Sequence, residues 1–434
     1  MLEGSKWSGA EWNEEAGAER AKAAAAEAEA AKGFKATALR SRDLNAIKPR
    51  PWIYGRELVR GFVSVLGSPG GTGKTAFVIA VALSIATGRS LLSCLKTIDT
   101  YKTVHKSGAV WLYNLEDPAD EMDRRLAAAL KHYAIDFEAV ADCVYVDSGR
   151  DRPLVVTHRM AGGGLAKAPV VDALVAELKR RGVTLLVVDP FVQSHSAEEN
   201  RNEEMNTVMA AWGQVASDAQ CAVWLVHHFR KGGQGGDSEA FRGAAAIQGA
   251  ARTMSTLSTM SAEDASKLGI EEGERWQYIR RDNAKANMAP RPSDAEWYRL
   301  ASVSLDNGDE DYPQGDHVQV VEAWSPPSPW DGIPWSLIVR MLDKIEAGPG
   351  DGEYYAKAKQ SKDRWAGNVV MTVAQRQEGQ AQTIIDAWHK SGVLTDDTYK
   401  SPARKNAESA CVRVDRNKVS EMRWSVSGED EGAD

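Results

Sequence analysis

One short stretch constrains this chain more than any other. Phe62-Val63-Ser64-Val65-Leu66 reads as a buried strand, Gly67-Ser68-Pro69-Gly70-Gly71-Thr72-Gly73-Lys74-Thr75 follows it, and a helical pattern opens at Ala76. Strand, glycine-rich turn and helix start are the setting a phosphate-binding loop requires. Glycines let successive backbone N–H groups turn inward around a phosphate, and the helix N-terminus adds its positive end. Ser68, Pro69, Gly70, Gly71, Thr72 and Gly73 then form the cradle. Lys74 reaches the β- and γ-phosphates, and the Thr75 hydroxyl takes Mg²⁺. Ser68 stands where the pattern G-x-x-x-x-G-K-T has its first glycine, but Gly70, Gly71 and Gly73 keep the turn permissive. Binding of ATP or GTP is the expectation.

The rest of the chain suits such a loop. At about 150 residues per domain, 434 residues make two to three domains. With 43% hydrophobic and 26% charged residues the composition is that of an ordinary globular protein, not a disordered one. No apolar run approaches the roughly 18 residues that span a bilayer; the longest, Ala76 to Ala86, carries Ser84. The N-terminus lacks a basic segment followed by a hydrophobic core, so no secretory leader or membrane anchor is expected. Cys94, Cys143, Cys221 and Cys411 are scattered and form no C-x-x-C pair. A disulfide framework or zinc ribbon is therefore not expected, and a reducing cytoplasm fits. The net charge of −8 gives no global attraction to nucleic acid, so any such contact must rest on local basic surface.

Residues 1–45 are rich in Ala, Glu and Lys, as in Ala18 to Lys32, and offer almost no large apolar side chain. A mobile, partly helical extension is expected. From Arg50-Pro51-Trp52 onward, within residues 46–325, short β-branched runs alternate with helical patterns, the mark of a parallel α/β sheet. The predicted strands are Phe62–Leu66, Ala109–Asn114, Cys143–Val146, Leu185–Asp189 and Ala222–Val226, with a later pair at Ser255–Thr259 and Trp276–Arg280. Pro326-Pro327-Ser328-Pro329 is a stiff linker, residues 330–425 form a smaller unit, and 426–434 are an acidic tail. No internal repeat is present.

Three strand ends carry further chemistry. Leu185-Leu186-Val187-Val188-Asp189 ends in a carboxylate, which beside a phosphate loop can hold Mg²⁺. Trp111 to Pro118 ends in Glu116 and Asp117, and Pro118 turns the chain out of the strand so that the acids sit on the rim. One of them can polarise the water that attacks a γ-phosphate; the expectation is Glu116 as base, with Asp117 capping the helix that starts near Ala119. Val226-His227-His228-Phe229 ends a further strand, and either histidine can reach a γ-phosphate. Adjacent residues of a strand face opposite sides, so the two do not share one metal. The following Arg230–Glu239 is glycine-rich and basic, equally suited to lining a nucleic-acid channel or to being a solvated loop. Phe241 to Arg252 reads as a small-residue helix with Arg242 and Arg252 at its ends. Arg280, Arg281 and Lys285 offer a second cationic strand end, and for each arginine a surface ion pair is the plain alternative.

Taken in order, the phosphate loop, Leu-Glu-Asp-Pro, Val-Val-Asp, His-His and Arg-Gly resemble the RepA-type ATPases. These are RecA-like hexameric replicative helicases of plasmids and phages, AAA-family P-loop ATPases, and the likeness runs from about Arg50 to Asn287. The resemblance implies a RecA-like parallel-sheet P-loop ATPase core that binds ATP and Mg²⁺. In it Lys74 and Thr75 bind nucleotide and metal, Asp189 is the metal-associated acid and Glu116 the catalytic carboxylate. His228, more than His227, is the γ-phosphate sensor. Arg242 belongs to the nucleotide site, and Arg252 looks like an arginine finger acting on a neighbour. It implies a ring, a hexamer by preference, with ATP sites between subunits and a role in DNA replication. Gln193–Asn206 and Arg230–Glu239 would then grip single-stranded DNA, although Glu198, Glu199, Glu203 and Glu204 repel its backbone unless turned away.

Beyond the linker, Gln380–Lys390 is helical with Ile384, Ile385 and Trp388 on one face. Val393-Leu394 and Cys411–Val414 pair as strands around a loop holding Tyr399, Lys400, Arg404 and Lys405. Helix, strand, basic loop and strand look like a winged helix, whose helix can enter a duplex major groove. A protein-docking unit of the same shape is the alternative, and Asp396, Asp397 and Asp415 weigh toward it. Two functions follow: an ATP-driven DNA helicase or translocase, or an ATP-switched DNA-binding loader without unwinding. A small-molecule kinase is disfavoured for want of an acceptor pocket.

Overall fold

The computed structural model describes residues 36, 38–93, 103–161, 163–228, 244–289 and 295–426. Arg242, the loop Arg230–Glu239, most of the 1–45 extension and the tail from 427 lie outside the described residues. The chain divides into two compact units, Met1–Arg50 and Pro51–Asp434. In the first, the described residues form one short 3₁₀ turn, Leu39–Ser41.

The second unit is built on strands β1 (Trp52–Tyr54), β2 (Leu58–Val59), β3 (Val63–Ser68), β4 (Ala109–Asn114), β5 (Val144–Ser148), β6 (Thr157–Arg159), β7 (Leu165–Lys167), β8 (Val183–Asp189), β9 (Ala222–His228), β10 (Thr253–Thr259), β11 (Tyr278–Ala286), β12 (Glu296–Ser304) and β13 (His317–Ala323). Nine of them form one sheet in the order β13-β12-β11-β10-β3-β9-β8-β4-β5. From β10 to β5 all neighbours are parallel, whereas β11, β12 and β13 join antiparallel. The central strands β3 and β8 are buried along their whole length, as strands covered on both faces must be.

Helices cover both faces. Lys74–Thr87 is apolar nearly all round and lies in one layer with Ala119–His132. Phe77 meets Trp224 and Tyr298 edge-on at 6.1 and 5.1 Å. Val170–Arg181, Asn202–Ala219 and Ala244–Ala250 form the other layer, around Trp212 and Val215. Ala119–His132 carries Asp120 and Glu121 in its first turn and Lys131 and His132 in its last, the distribution a helix dipole favours. Strands β12 and β13 extend the sheet beyond the two predicted strands after β9. Their charged alternation (Glu296, Arg299; His317, Gln319, Glu322) hides a half-buried antiparallel pattern.

Behind them, helices Trp335–Ala347, Gly367–Ala374 and Glu378–Lys390 surround a separate core of Met341, Trp365, Ile384, Ile385 and Trp388. A hairpin of β14 (Leu394–Ser401) and β15 (Ala407–Val414) closes that core. The hairpin is longer than its sequence suggests: Tyr399 and Lys400 belong to β14, and only Arg404 and Lys405 lie at the turn. Helix Glu378–Lys390 crosses Ala262–Leu268 at its first turn, where the Gly379 amide donates to Ser266 Oγ at 3.1 Å. A Cβ on Gly379 would fall 2.6 Å from Lys267 N, and one on Gly269 would fall 2.3 Å from Gln380 Nε2. Glycine at both positions permits this approach. Among the described residues no helix is long and apolar enough to cross a membrane.

Candidate active site

Because β3, β9, β8 and β4 are adjacent and parallel, their C-terminal ends meet at one sheet edge, where ligands of open α/β sheets bind. The register aligns them: Ser68 pairs with His228, and Asn114 with Asp189. A cavity of about 500 Å³ opens there, lined by Gly73, Lys74, Thr75, Glu116, Asp189 and His228 among others. The sequence-predicted loop, acids and distal histidine therefore converge in space.

The loop itself is closely folded. Ser68 and Thr72 hydroxyls bond each other, Thr72 Oγ1 donates to Pro69 O at 3.0 Å, and the Lys74 ammonium donates to the same carbonyl at 2.9 Å. Gly73 has φ +81°, and a Cβ there would lie 2.9 Å from Leu300 Cδ2 and 3.0 Å from Ile279 Cδ1. The antiparallel strands β11 and β12 thus press directly under the loop. Burial pulls the Lys74 amine below its usual range, opposed by the charges of Asp189 and Glu116.

Thr75 Oγ1 donates to Asp189 Oδ2 at 2.9 Å. Burial pushes the Asp189 carboxyl up to about 6, although the Thr75 hydrogen bond and Lys74 pull the other way. Among the described residues no three His, Cys, Asp or Glu side chains gather as a metal cage. Two oxygens side by side at a phosphate loop fit a hard divalent cation that draws its other ligands from phosphate and water.

On β4, Asn114 Oδ1 accepts the amides of Glu116 at 2.9 Å and Asp117 at 2.7 Å, a turn that presents both acids. Arg150 Nε holds the Glu116 carbonyl at 2.7 Å. The two acids then differ. Both line the cavity, but Asp117 takes Arg125 Nη1 at 2.6 Å, while Glu116 lies close enough to Lys74 and His228 to shift both electrostatically. Asp117 does not cap the next helix, which starts after Pro118 with no side-chain cap; Arg125 draws its carboxylate across the turn instead.

The histidines face opposite sides, as the strand period requires. His228 lines the cavity, its pKa lowered by burial and by Lys74. His227 is buried, held down to about 4 chiefly by desolvation, with its ring edge-on to Phe191 at 5.8 Å and Nδ1 3.9 Å from Glu199. Of the acids after Asp189, Glu204, in the first turn of helix Asn202–Ala219, is buried and paired with Arg159 at 3.1 Å and Arg201 at 2.7 Å, whereas Glu198 and Glu203 are exposed.

Arg252 is not brought to this site. Its amide donates to Val63 O at 3.0 Å and its guanidinium lies over Phe62 at 5.7 Å, at the N-terminal end of β3 and so roughly 17 Å from the loop by strand rise. Arg281 is buried between Glu57 and Glu296, Arg280 pairs with Asp264 and Asp282, and Lys285 donates to the carbonyls of Gln248 and Ala251. None of the three reaches the cavity. Arg124, Arg125, Asp316 and the start of β13 (His317–Gln319) do, and sequence reasoning missed them. The one signal on offer was Glu121 and Arg125 at i,i+4 just after the acid-Pro turn, 3.0 Å apart here.

Glycine loop, Thr75–Asp189 pair and rim carboxylates thus meet at one edge of a mostly parallel α/β sheet, an arrangement suited to holding a nucleotide's phosphates. Residues 29–234 match the family model described as an AAA domain. Among solved structures the chain is similar to a DnaB-like replicative helicase described with its interactions with primase, at 13% identity and a TM-score of 0.37. That match covers 57% of this chain and 56% of the other, so the chain spans little more than half the length of that structure.

Proposed function

We propose that this chain is an ATP-hydrolysing, ring-forming motor on single-stranded DNA, a RepA-like replicative helicase or translocase. The observation that carries the ATPase reading is the facing of Glu116 and His228 toward the Thr75–Asp189 pair across one cavity. Thr75 and Asp189 hold Mg²⁺, which when bound offsets charge on the β- and γ-phosphates. Lys74 adds a positive charge to the same oxygens. Glu116 takes a proton from the attacking water, and His228 donates to the γ-phosphate and passes its loss to the end of β9. Arg252, remote from its own loop, acts in the site of a neighbouring copy.

The DNA reading rests on the loop after Asp189. Glu204, at the start of the helix that follows it, is turned inward onto Arg159 and Arg201, which removes one of the four charges that would repel a phosphate backbone, while Glu198 and Glu203 stay exposed. The C-terminal helices serve a protein partner rather than a duplex. The first turn of Glu378–Lys390, the part of such a helix that reads bases, is packed on Ala262–Leu268, and Glu378 and Asp386 lie on its exposed side.

The test is the ATPase rate with and without single-stranded DNA, beside mass by light scattering with and without ATP. A ring-sized, DNA-stimulated species is expected. Slow hydrolysis indifferent to DNA would replace the motor with an ATP-switched loader.

A further inference from the structure

We infer that the start of β13 reads the base of the nucleotide, and that it selects adenine. This deepens the ATPase reading and rests on it. The cavity of about 500 Å³ is of the size that takes a whole drug-sized ligand, so a triphosphate seated on Lys74 and Thr75 leaves its far part unfilled. One wall of the cavity is Asp316, His317, Val318 and Gln319, with Arg124 held against Asp316.

The wall is built in place. Asp316 accepts from Arg124 Nε at 3.2 Å and from Asn307 Nδ2 at 2.8 Å, and its own amide donates to Asn307 Oδ1 at 2.8 Å. The Leu305 amide donates to Asp316 O at 2.9 Å, closing the turn between β12 and β13. Such fixing lowers the ordering cost of binding. Along β13 the side chains alternate: His317 and Gln319 fall on one side and are exposed, while Val320 is buried.

An imidazole followed two residues later by a carboxamide suits a purine. A flat ring stacks on the base, and the amide both donates and accepts. A glutamine amide pairs with adenine by accepting from N6 and donating to N7, whereas guanine offers two acceptors on that edge. The pair therefore favours ATP over GTP, with His317 supplying affinity and Gln319 supplying choice.

Calorimetric titration of the full chain with ATP, GTP and inorganic triphosphate, each with Mg²⁺, tests this. Wild type is expected to prefer ATP. Gln319→Ala is expected to weaken ATP by about 5- to 100-fold and to erase the ATP–GTP preference. His317→Ala is expected to weaken both nucleotides by a similar factor, the scale of a lost stacking partner. Inorganic triphosphate should bind both variants as it binds wild type, and lose affinity in Lys74→Ala. Unchanged ATP and GTP affinities in both β13 variants, with Lys74→Ala still losing binding, would overturn the inference and leave the ATPase reading standing. A wild type that binds neither ATP nor triphosphate would overturn both. Circular dichroism confirms that each variant is folded, and Gln319→Glu, an acceptor-only isostere that still accepts from adenine N6 but meets both guanine acceptors with oxygen, should weaken ATP yet keep the preference for ATP over GTP.

Discussion

Replacing Asp189 with asparagine separates what the fold wants at that position from what the chemistry wants. The carboxyl titrates at about 6 in the fold against 3.8 ordinarily, so ionising it inside the protein costs about 3 kcal/mol. The sign follows from proton counts. Between pH 4 and 6 the folded chain holds a proton there that the unfolded chain has released, so this group's contribution to stability is full below about 4 and is lost as pH rises through about 6. The substituted carboxamide would be uncharged throughout and similar in shape, and its oxygen can still accept from Thr75. Asp189→Asn should therefore stabilise the nucleotide-free protein at pH 7.5 by about 2–3 kcal/mol, moving the urea midpoint by about 1 M. The buried Trp212 and Trp224 report the transition through their fluorescence. The gap between variant and wild type should be small at pH 4, grow to pH 6 and level off above it. Mg²⁺-dependent hydrolysis should disappear in the same variant. A variant no more stable than wild type at pH 7.5, or a gap that does not change with pH, would refute the claim that burial of this carboxylate outweighs the help of Thr75 and Lys74.

Gly73→Ala places a Cβ against Leu300 and Ile279 at positive φ and should cost about 1–3 kcal/mol in thermal unfolding while weakening nucleotide binding; wild-type stability would mean that β11 and β12 do not press on the loop. Glu116→Gln should bind ATP and hydrolyse it about 10²- to 10⁴-fold more slowly in a phosphate-release assay, whereas Asp117→Asn, which takes from Arg125 one of its two acid partners, should lose much less; the reverse order would move the base to Asp117. Arg252→Ala and Glu116→Gln, each inactive alone, should recover part of the activity when mixed. Absence of recovery at every ratio would reject a site shared between copies.

The inner half of the sheet is legible in the sequence because parallel strands covered on both faces must be runs of apolar residues. Val63–Leu66, Leu185–Val188 and Ala222–Val226 are such runs, and the predicted Ala109–Asn114 matches its strand to the residue. The strands β12 and β13 are not legible. Each exposes part of one face, so its polar residues interrupt the run, and nothing local says that it joins this sheet. The same limit divides the site. Lys74, Thr75, Glu116 and Asp189 announce themselves through glycine, proline and strand-end signals within a few residues. Arg125 answers to Asp117 across a turn, and Asp316, His317 and Gln319 reach the cavity from about 240 residues beyond the loop, a closeness that only the antiparallel return of the chain creates. Asp117 reads as a cap because Pro118 starts a helix; the competing arginine further along that helix decides otherwise.

The glycine crossing between Glu378–Lys390 and Ala262–Leu268 has a mechanical consequence. Ala262–Leu268 connects β10 to β11, and β11 bears on the phosphate loop through Ile279. Two helices this close, with Gly379 against the backbone of Ser266 and Lys267 and Gly269 against Gln380, have little room to slide or roll. A tilt of the antiparallel strands as the loop closes on its ligand would therefore swing the C-terminal helices as a stiff arm, and whatever is fastened to the far end of that arm would feel each turnover as displacement.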